Sequence, residues 1–293
     1  MPGPRRRIVL FLATLMAAVL TGLAATPASA APSRTNSNQS RVIFVHGFAP
    51  EGKHDSCKGY FSKAISGFKN TGSGWKGSLL TFGYYKGQAN CSKNFPGSQK
   101  TPLKEVAKAF ANYVYSYSKN NVKVDVVAHS MGGLVVRAAL YYTARGASGF
   151  PPRLYVEDVV TLGSPHGGTG WGTFCATVTN LRQCKDMKPG SSFIKALGST
   201  MPNSAMGTDW TTIGSYDDEI VSETSAVAGV AEHEWQYHPD ANLRHNELKT
   251  VTGGSYKARH KTTKNGATWS GWGSGYASPV KLARTAVFYH SSS

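Results

Sequence analysis

"VVAHSMGGLVV", residues 126–136, decides the reading of this chain. An apolar, β-branched run stops at His129, and a helix-like apolar run resumes at Leu134. Between them stands one serine with small residues around it: Ala128 two positions before Ser130, Gly132 two positions after, and Gly133 next. A strand that turns sharply into a helix needs small side chains there, because the two elements pass close together. The same turn strains the serine backbone and exposes Oγ above the sheet. The Met131 N–H opens the helix and points to where an oxyanion would form. The layout predicts that Ser130 is presented as a nucleophile.

Outward from this stretch, strand and helix alternate. "RVIFVHG" (41–47), "SLLTFGYY" (78–85), "NVKVDVVAH" (121–129), "YVEDVVTLGS" (155–164) and "WTTIGSY" (210–216) read as strands, and "ANLR" (241–244) as a further short one. Helices are predicted over "CKGYFSKAISGFKN" (57–70), from Thr101-Pro102 to Ser118, over "MGGLVVRAALYYTARG" (131–146) and over "SPVKLARTAVFYH" (278–290). The strands are continuous apolar runs, which fits a mostly parallel central sheet flanked by helices on both faces, an α/β fold. Two stretches, 167–205 and 253–276, fit the alternation poorly. Both are read as loop insertions around a site, the second as a long loop.

A nucleophilic serine needs a base, and the base an orienting acid. In this layout they follow the serine in the order acid, then histidine. "TTIGSYDDEIVS" supplies acids directly after an apolar strand. Asp218, with Ile220 and Val221 anchoring the loop behind it, is the expected acid, and Asp217 is the alternative. "NLRHNELKT" supplies His245 as general base and acid. His46, His54, His129 and His166 precede the acid loop, and His129 is expected to point away from the site. His233 and His238 flank "HEWQYH", whose spacing puts them roughly 140° apart on a helix, unlike a zinc motif. His260 falls in the second insertion and His290 near the end of the sequence. The second oxyanion donor is expected to be Phe48 N–H, just after His46-Gly47 at a strand end.

The sequence opens with Arg5 to Arg7, an apolar run and the small-residue exit "ASA". This is the pattern of a secretory signal peptide cleaved after Ala30. A flexible leader is expected over 31–40 and one catalytic domain over 41–293. Export to an oxidising compartment predicts two disulfides among the four cysteines. Four cysteines allow three pairings, which the sequence leaves open; the expected one is Cys57–Cys91 with Cys175–Cys184, because each closes a short loop. The formal charge of +16 falls by three arginines to +13 without residues 1–30, a surface that attracts anionic partners. No basic run is interleaved with stacking aromatics, so nucleic acid is not an expected partner, and no Cys-x-x-Cys or calcium-loop spacing predicts a metal.

With these residues in place, the chain resembles the α/β-hydrolase family. More narrowly, it resembles the small secreted bacterial triacylglycerol lipases and esterases of the lipase class 2 type. "VIFVHGF", "VDVVAHSMGGLVVR", "VVTLGSPHGGT", "GSYDDEIV" and "RHNEL" carry the resemblance over most of residues 41–250. It implies a minimal-type hydrolase core and carboxylic ester hydrolysis without a cofactor. The expected partners are an ester or lipid substrate and transiently a lipid–water interface or anionic surface. No integral membrane segment is expected after signal removal, and the protein is expected to be a monomer. The same triad would also serve a polyester hydrolase or an acyltransferase, and a catalytically silent wall- or lipid-binding protein is the reading from another class. The smallest such lipases have no lid. Here 167–205 could roof the acyl pocket, with Trp171, Phe174 and Phe193 as candidate acyl-site or lipid-facing residues, as are Trp269, Trp272 and Tyr276 in 253–276.

Overall fold

A computed structural model describes residues 1, 3, 30–263 and 267–289. The chain divides into two units, Met1–Ala30 and Ala31–Ser293. The hydrophobic stretch of the expected signal peptide lies outside the described residues, as does His290. No helix among the described residues is long and apolar enough to cross a membrane.

One nine-stranded sheet organises the second unit. Its strands are β1 (Arg41–Val45), β2 (Leu79–Gly83), β3 (Lys93–Asn94), β4 (Val124–His129), β5 (Val156–Leu162), β6 (Asp209–Ser215), β7 (His233–Tyr237), β8 (Ser255–Thr262) and β9 (Gly273–Ala277). They lie in the order β3-β2-β1-β4-β5-β6-β7-β8-β9. Pairing is parallel from β3 through to β7. The β7–β8 and β8–β9 pairs are antiparallel.

The side-chain period of two sends each strand's residues to both faces. From β1, Ile43 and Val45 join α3 (Leu103–Ser118) and α4 (Met131–Ala144) in one core. Val42 and Phe44 join α2 (Ser62–Asn70) and α9 (Pro279–Ala286) in the other. Both faces are covered by helices, which is why the central strands carry apolar residues on both sides, interrupted in β4 and β5 only by Asp125, Glu157, Asp158 and a few neutral polar residues. Burying a side chain such as Phe44, with none of its surface exposed, contributes about 1.5–3 kcal/mol.

Four local expectations are corrected. Residues 253–276 hold β8 and most of β9 rather than a long loop. "ANLR" is not a strand: a short 3-10 turn, Pro239–Ala241, leads into it. The strand of that region is β7, whose Trp235 and Tyr237 share one face. The helix expected over 57–70 breaks at Phe61 into α1 (Cys57–Tyr60) and α2. Insertion 167–205 is helical, with α5 (Gly170–Thr179), α6 (Arg182–Met187) and α7 (Ser192–Ala196). The disulfides pair Cys57 with Cys91 and Cys175 with Cys184, and the second staples α5 to α6.

Residues 31–40 have no regular secondary structure, yet they are bonded to the domain. Thr35 N–H donates to Glu157 Oε1 at 2.5 Å, and the backbone N–H groups of Lys76 and Gly77 donate to Asn38. Arg34 lies 3.7 Å from Asp158 and 3.9 Å from Asp209. Asp125, Glu157 and Asp158 form a buried carboxylate group, with one oxygen of each within 4.8 Å of the others. It occupies the end of β4 and β5 opposite Ser130, and Lys123 Nζ approaches Glu157 at 2.5 Å.

Candidate active site

Ser130 stands between the last residue of β4 and the first of α4, with φ 56° and ψ −134°. A non-glycine residue at positive φ in this region is strained. The surroundings hold it there. Its N–H donates to Leu162 O of β5 at 2.9 Å, and its carbonyl accepts Gly133 N–H at 3.1 Å.

The small neighbours are required by contact. A Cβ on Gly132 would lie 2.4 Å from Val45 O and 2.6 Å from His46 O, and one on Gly133 would lie 2.2 Å from Ser164 Oγ. The first turn of α4 therefore presses against the end of β1. This brings the helix N-terminus, with Met131 at its first position, beside the segment that runs through Gly47 to Phe48. A Cβ on Gly47 would reach Ser130 Cβ at 2.7 Å.

Asp218 follows β6 and is buried. Its Oδ1 accepts the N–H groups of Ile220 (2.9 Å) and Val221 (2.8 Å), and its Oδ2 lies 2.7 Å from His245 Nδ1. Because a carboxylate only accepts, Nδ1 carries the hydrogen of this bond. Asp217 does not make this contact; its Oδ2 has no hydrogen-bond partner among the described residues. His245 N–H donates to Glu219 Oε2 at 3.2 Å.

Ser130 and His245 line one cavity of about 270 Å³. Its walls are largely apolar: Phe48, Trp171, Met187, Ile220 and Val221 contribute, with Phe48 and Trp171 packed edge to face at 5.2 Å. Trp171 and Met187 come from α5 and α6, so the stapled insertion forms part of the wall. Phe193 is instead buried in the core, while Phe174 and Val178 of α5 are exposed. Of the aromatics in the second insertion, Trp269 and Trp272 cover the Arg259 guanidinium at 4.9 and 4.7 Å, and Tyr276 packs on Trp235.

Sequence reasoning missed three participants. His129 lines the cavity rather than pointing away, and its ring lies 4.6 Å from that of His245. Tyr60 lines the same cavity. Gly163, at φ 55° after β5, leaves room for the acid–histidine pair: a Cβ there would lie 3.2 Å from His245 Nδ1. The glycine that ends "VVTLG" was the available signal for it.

A mostly parallel sheet with a strained serine between strand and helix defines an α/β-hydrolase. Residues 36–200 match the family model described as "Putative serine esterase (DUF676)", and the chain, more than half of it covered, belongs to that family. The match includes Ser130 and ends before Asp218 and His245.

Among solved structures, the chain is similar to Aspergillus fumigatus lipase B at 18% identity and TM-score 0.49, covering 75% of this chain and 52% of that one. It is similar to mature Bacillus licheniformis lipase BlEst2 at 17% identity and TM-score 0.44, covering 67% and 82%. It is also similar to the metagenomic carboxyl esterase MGS0156 at 14% identity and TM-score 0.47, covering 92% and 81%. The chain thus spans about half the length of the first of these. Comparison with curated protein sequences gives no match.

Proposed function

We propose that this protein is a secreted serine carboxylic-ester hydrolase of the lipase or esterase type. The observation that carries the reading is the His245–Asp218 hydrogen bond of 2.7 Å beside the same apolar cavity that Ser130 enters from its strained turn. Ser130 Oγ attacks the ester carbonyl carbon while His245 Nε2 takes its proton. Asp218 holds the tautomer and stabilises the imidazolium. The Phe48 and Met131 N–H groups stabilise the oxyanion. The tetrahedral intermediate expels the alcohol, which receives the proton from His245 and leaves an acyl group on Ser130. Water, deprotonated by His245, then attacks the acyl-enzyme, releasing the carboxylic acid and restoring the serine.

Phe48, Trp171, Met187 and Ile220 supply an apolar wall suited to an acyl chain. Exposed Phe174 and Val178, with Lys185 and Lys188 exposed close behind in sequence, suit brief contact with an anionic lipid–water interface. Secretion rests on the sequence of residues 1–30 together with two disulfides.

The test is initial rates on p-nitrophenyl esters from C2 to C16 and on emulsified triolein, with Ser130→Ala as control. Hydrolysis abolished in the variant is the expected result; equal rates would refute the serine mechanism. Activity on long chains and emulsion identifies a lipase, whereas activity confined to short soluble esters identifies an esterase. The mass of the protein in culture supernatant tests cleavage after Ala30.

A further inference from the structure

His245 sits in a loop between the 3-10 turns Pro239–Ala241 and Glu247–Lys249, outside any strand ladder. Its carbonyl is bonded by His129 Nε2 at 2.9 Å. A carbonyl only accepts, so Nε2 carries the hydrogen of a neutral imidazole and Nδ1 is an acceptor. The partner of Nδ1 is the Tyr60 hydroxyl, 2.5 Å away, which must donate. The same hydroxyl oxygen accepts the Gly47 N–H at 3.2 Å. Every donor–acceptor direction follows: Gly47 N–H to Tyr60, Tyr60 O–H to His129, His129 Nε2–H to His245 O.

Charge is excluded from this chain. Burial, and then the neighbouring His245, hold His129 well below the usual histidine range. Burial pushes the Tyr60 phenol up, so it keeps its proton. Lys249 Nζ lies 4.5 Å from the Tyr60 ring centroid, a cation–π contact that leaves the hydroxyl free for the two bonds above. Neutrality suits the reaction: during acylation His245 becomes cationic with its ring 4.6 Å from that of His129.

We propose that Tyr60 and His129 are a positioning pair whose directed hydrogen bonds hold the oxyanion segment, the residue before the nucleophile and the backbone of the general base in register. The proposal rests on the roles given above to Ser130 and His245. Neither residue is assigned a bond-making step. Their contribution is to hold Ser130 and His245 in reacting geometry across the cavity they share, and small misplacements there cost up to ~100-fold in rate.

The experiment compares wild type, Tyr60→Phe, His129→Leu, His129→Gln and Ser130→Ala on p-nitrophenyl butyrate, with Tm measured for each. Tyr60→Phe removes only the hydroxyl and keeps the ring. It is expected to lower kcat roughly tenfold, with KM within about twofold and Tm lowered by a few degrees, because His129 Nδ1 and the Gly47 N–H lose their partner. His129→Leu is expected to lower kcat roughly 100-fold. His129→Gln, which keeps a donor and an acceptor, is expected to recover part of that loss.

Nitrogen NMR of the wild-type imidazoles is expected to show His129 as the Nε2–H tautomer, a readout independent of whether any variant folds. Wild-type kcat in Tyr60→Phe, a loss confined to KM, His129→Gln no better than His129→Leu, or an Nδ1–H tautomer would each overturn the pair. Wild-type rates in Ser130→Ala would instead overturn the reading of the site. An inactive Ser130→Ala beside a fully active Tyr60→Phe overturns the pair alone.

Discussion

A methyl group on Gly163 would stand 2.8 Å from Asp218 Oδ2, the oxygen that holds His245. The absence of a side chain after β5 is therefore a condition of the acid–histidine pair, and φ 55° adds a second reason for glycine. Gly163→Ala is expected to lower kcat roughly 100-fold, with the circular dichroism spectrum unchanged. Combined with Asp218→Asn it should add little, because both changes disturb one interaction. Additive losses in the double variant would refute this coupling.

Adjacent acids after β6 separate cleanly. Asp218→Asn is expected to cost about 10⁴ in kcat, because the amide no longer enforces the tautomer that leaves Nε2 free. Asp217→Asn is expected to stay within about threefold of wild type, since its carboxyl does not bond His245. Ester turnover in the two variants decides the matter, and the reverse ranking would exchange their roles.

The carboxylate group at the far end of β4 and β5 makes stability depend on pH. Burial, then neighbouring carboxylates, raise the pKa of Asp125 well above the ordinary range and that of Asp158 to about 10. An unfolded carboxyl titrates near ~4. Between those values the folded chain holds protons that the unfolded chain releases, so this contribution weakens as pH rises from ~4. Arg34 and Lys123 offset part of it. Asp125→Asn is expected to raise Tm at pH 8, with the gain shrinking towards pH 4. Calorimetry across that range is the check, and a lower Tm at pH 8 would count against the account. Burial lowers the pKa of His46, His129 and His166, so their contribution acts oppositely: it is lost as pH falls below ~6.5.

The Cys175–Cys184 bridge closes a separation of nine residues next to Trp171 and Met187. Constraint of the unfolded chain by so short a loop contributes roughly 2–3 kcal/mol. Cys175→Ser with Cys184→Ser is expected to lower Tm and to raise KM for long-chain esters more than for acetate. Equal changes in KM for both would mean that the staple does not shape the acyl wall.

The serine turn was legible because its requirements are read from neighbouring residues: the glycines at 132 and 133 answer contacts with the end of β1 and with Ser164. The pairing of Asp218 with His245 was legible through chain order and strand ends. The β8–β9 hairpin was not, because lysine, threonine, glycine and serine dominate it and the apolar alternation of a half-buried strand is missing. His129 was misread for a geometric reason. It shares a sheet face with Val127, and whether that face meets core or cavity depends on where Tyr60 lies, 69 residues away in sequence.

The backbone of Ser130 has a consequence for the protein as a whole. A serine at φ 56° and ψ −134° stores of the order of 1–3 kcal/mol of conformational strain. Glycine would release most of that strain, offset by roughly 0.5–1 kcal/mol of added unfolded-chain freedom. Ser130→Gly is therefore expected to melt above wild type while hydrolysing nothing, a thermal shift that a simple melting curve detects. On the role proposed for Ser130, reactivity and durability are set against each other at a single residue, and a search for thermostable variants would be drawn to that position and yield inactive protein.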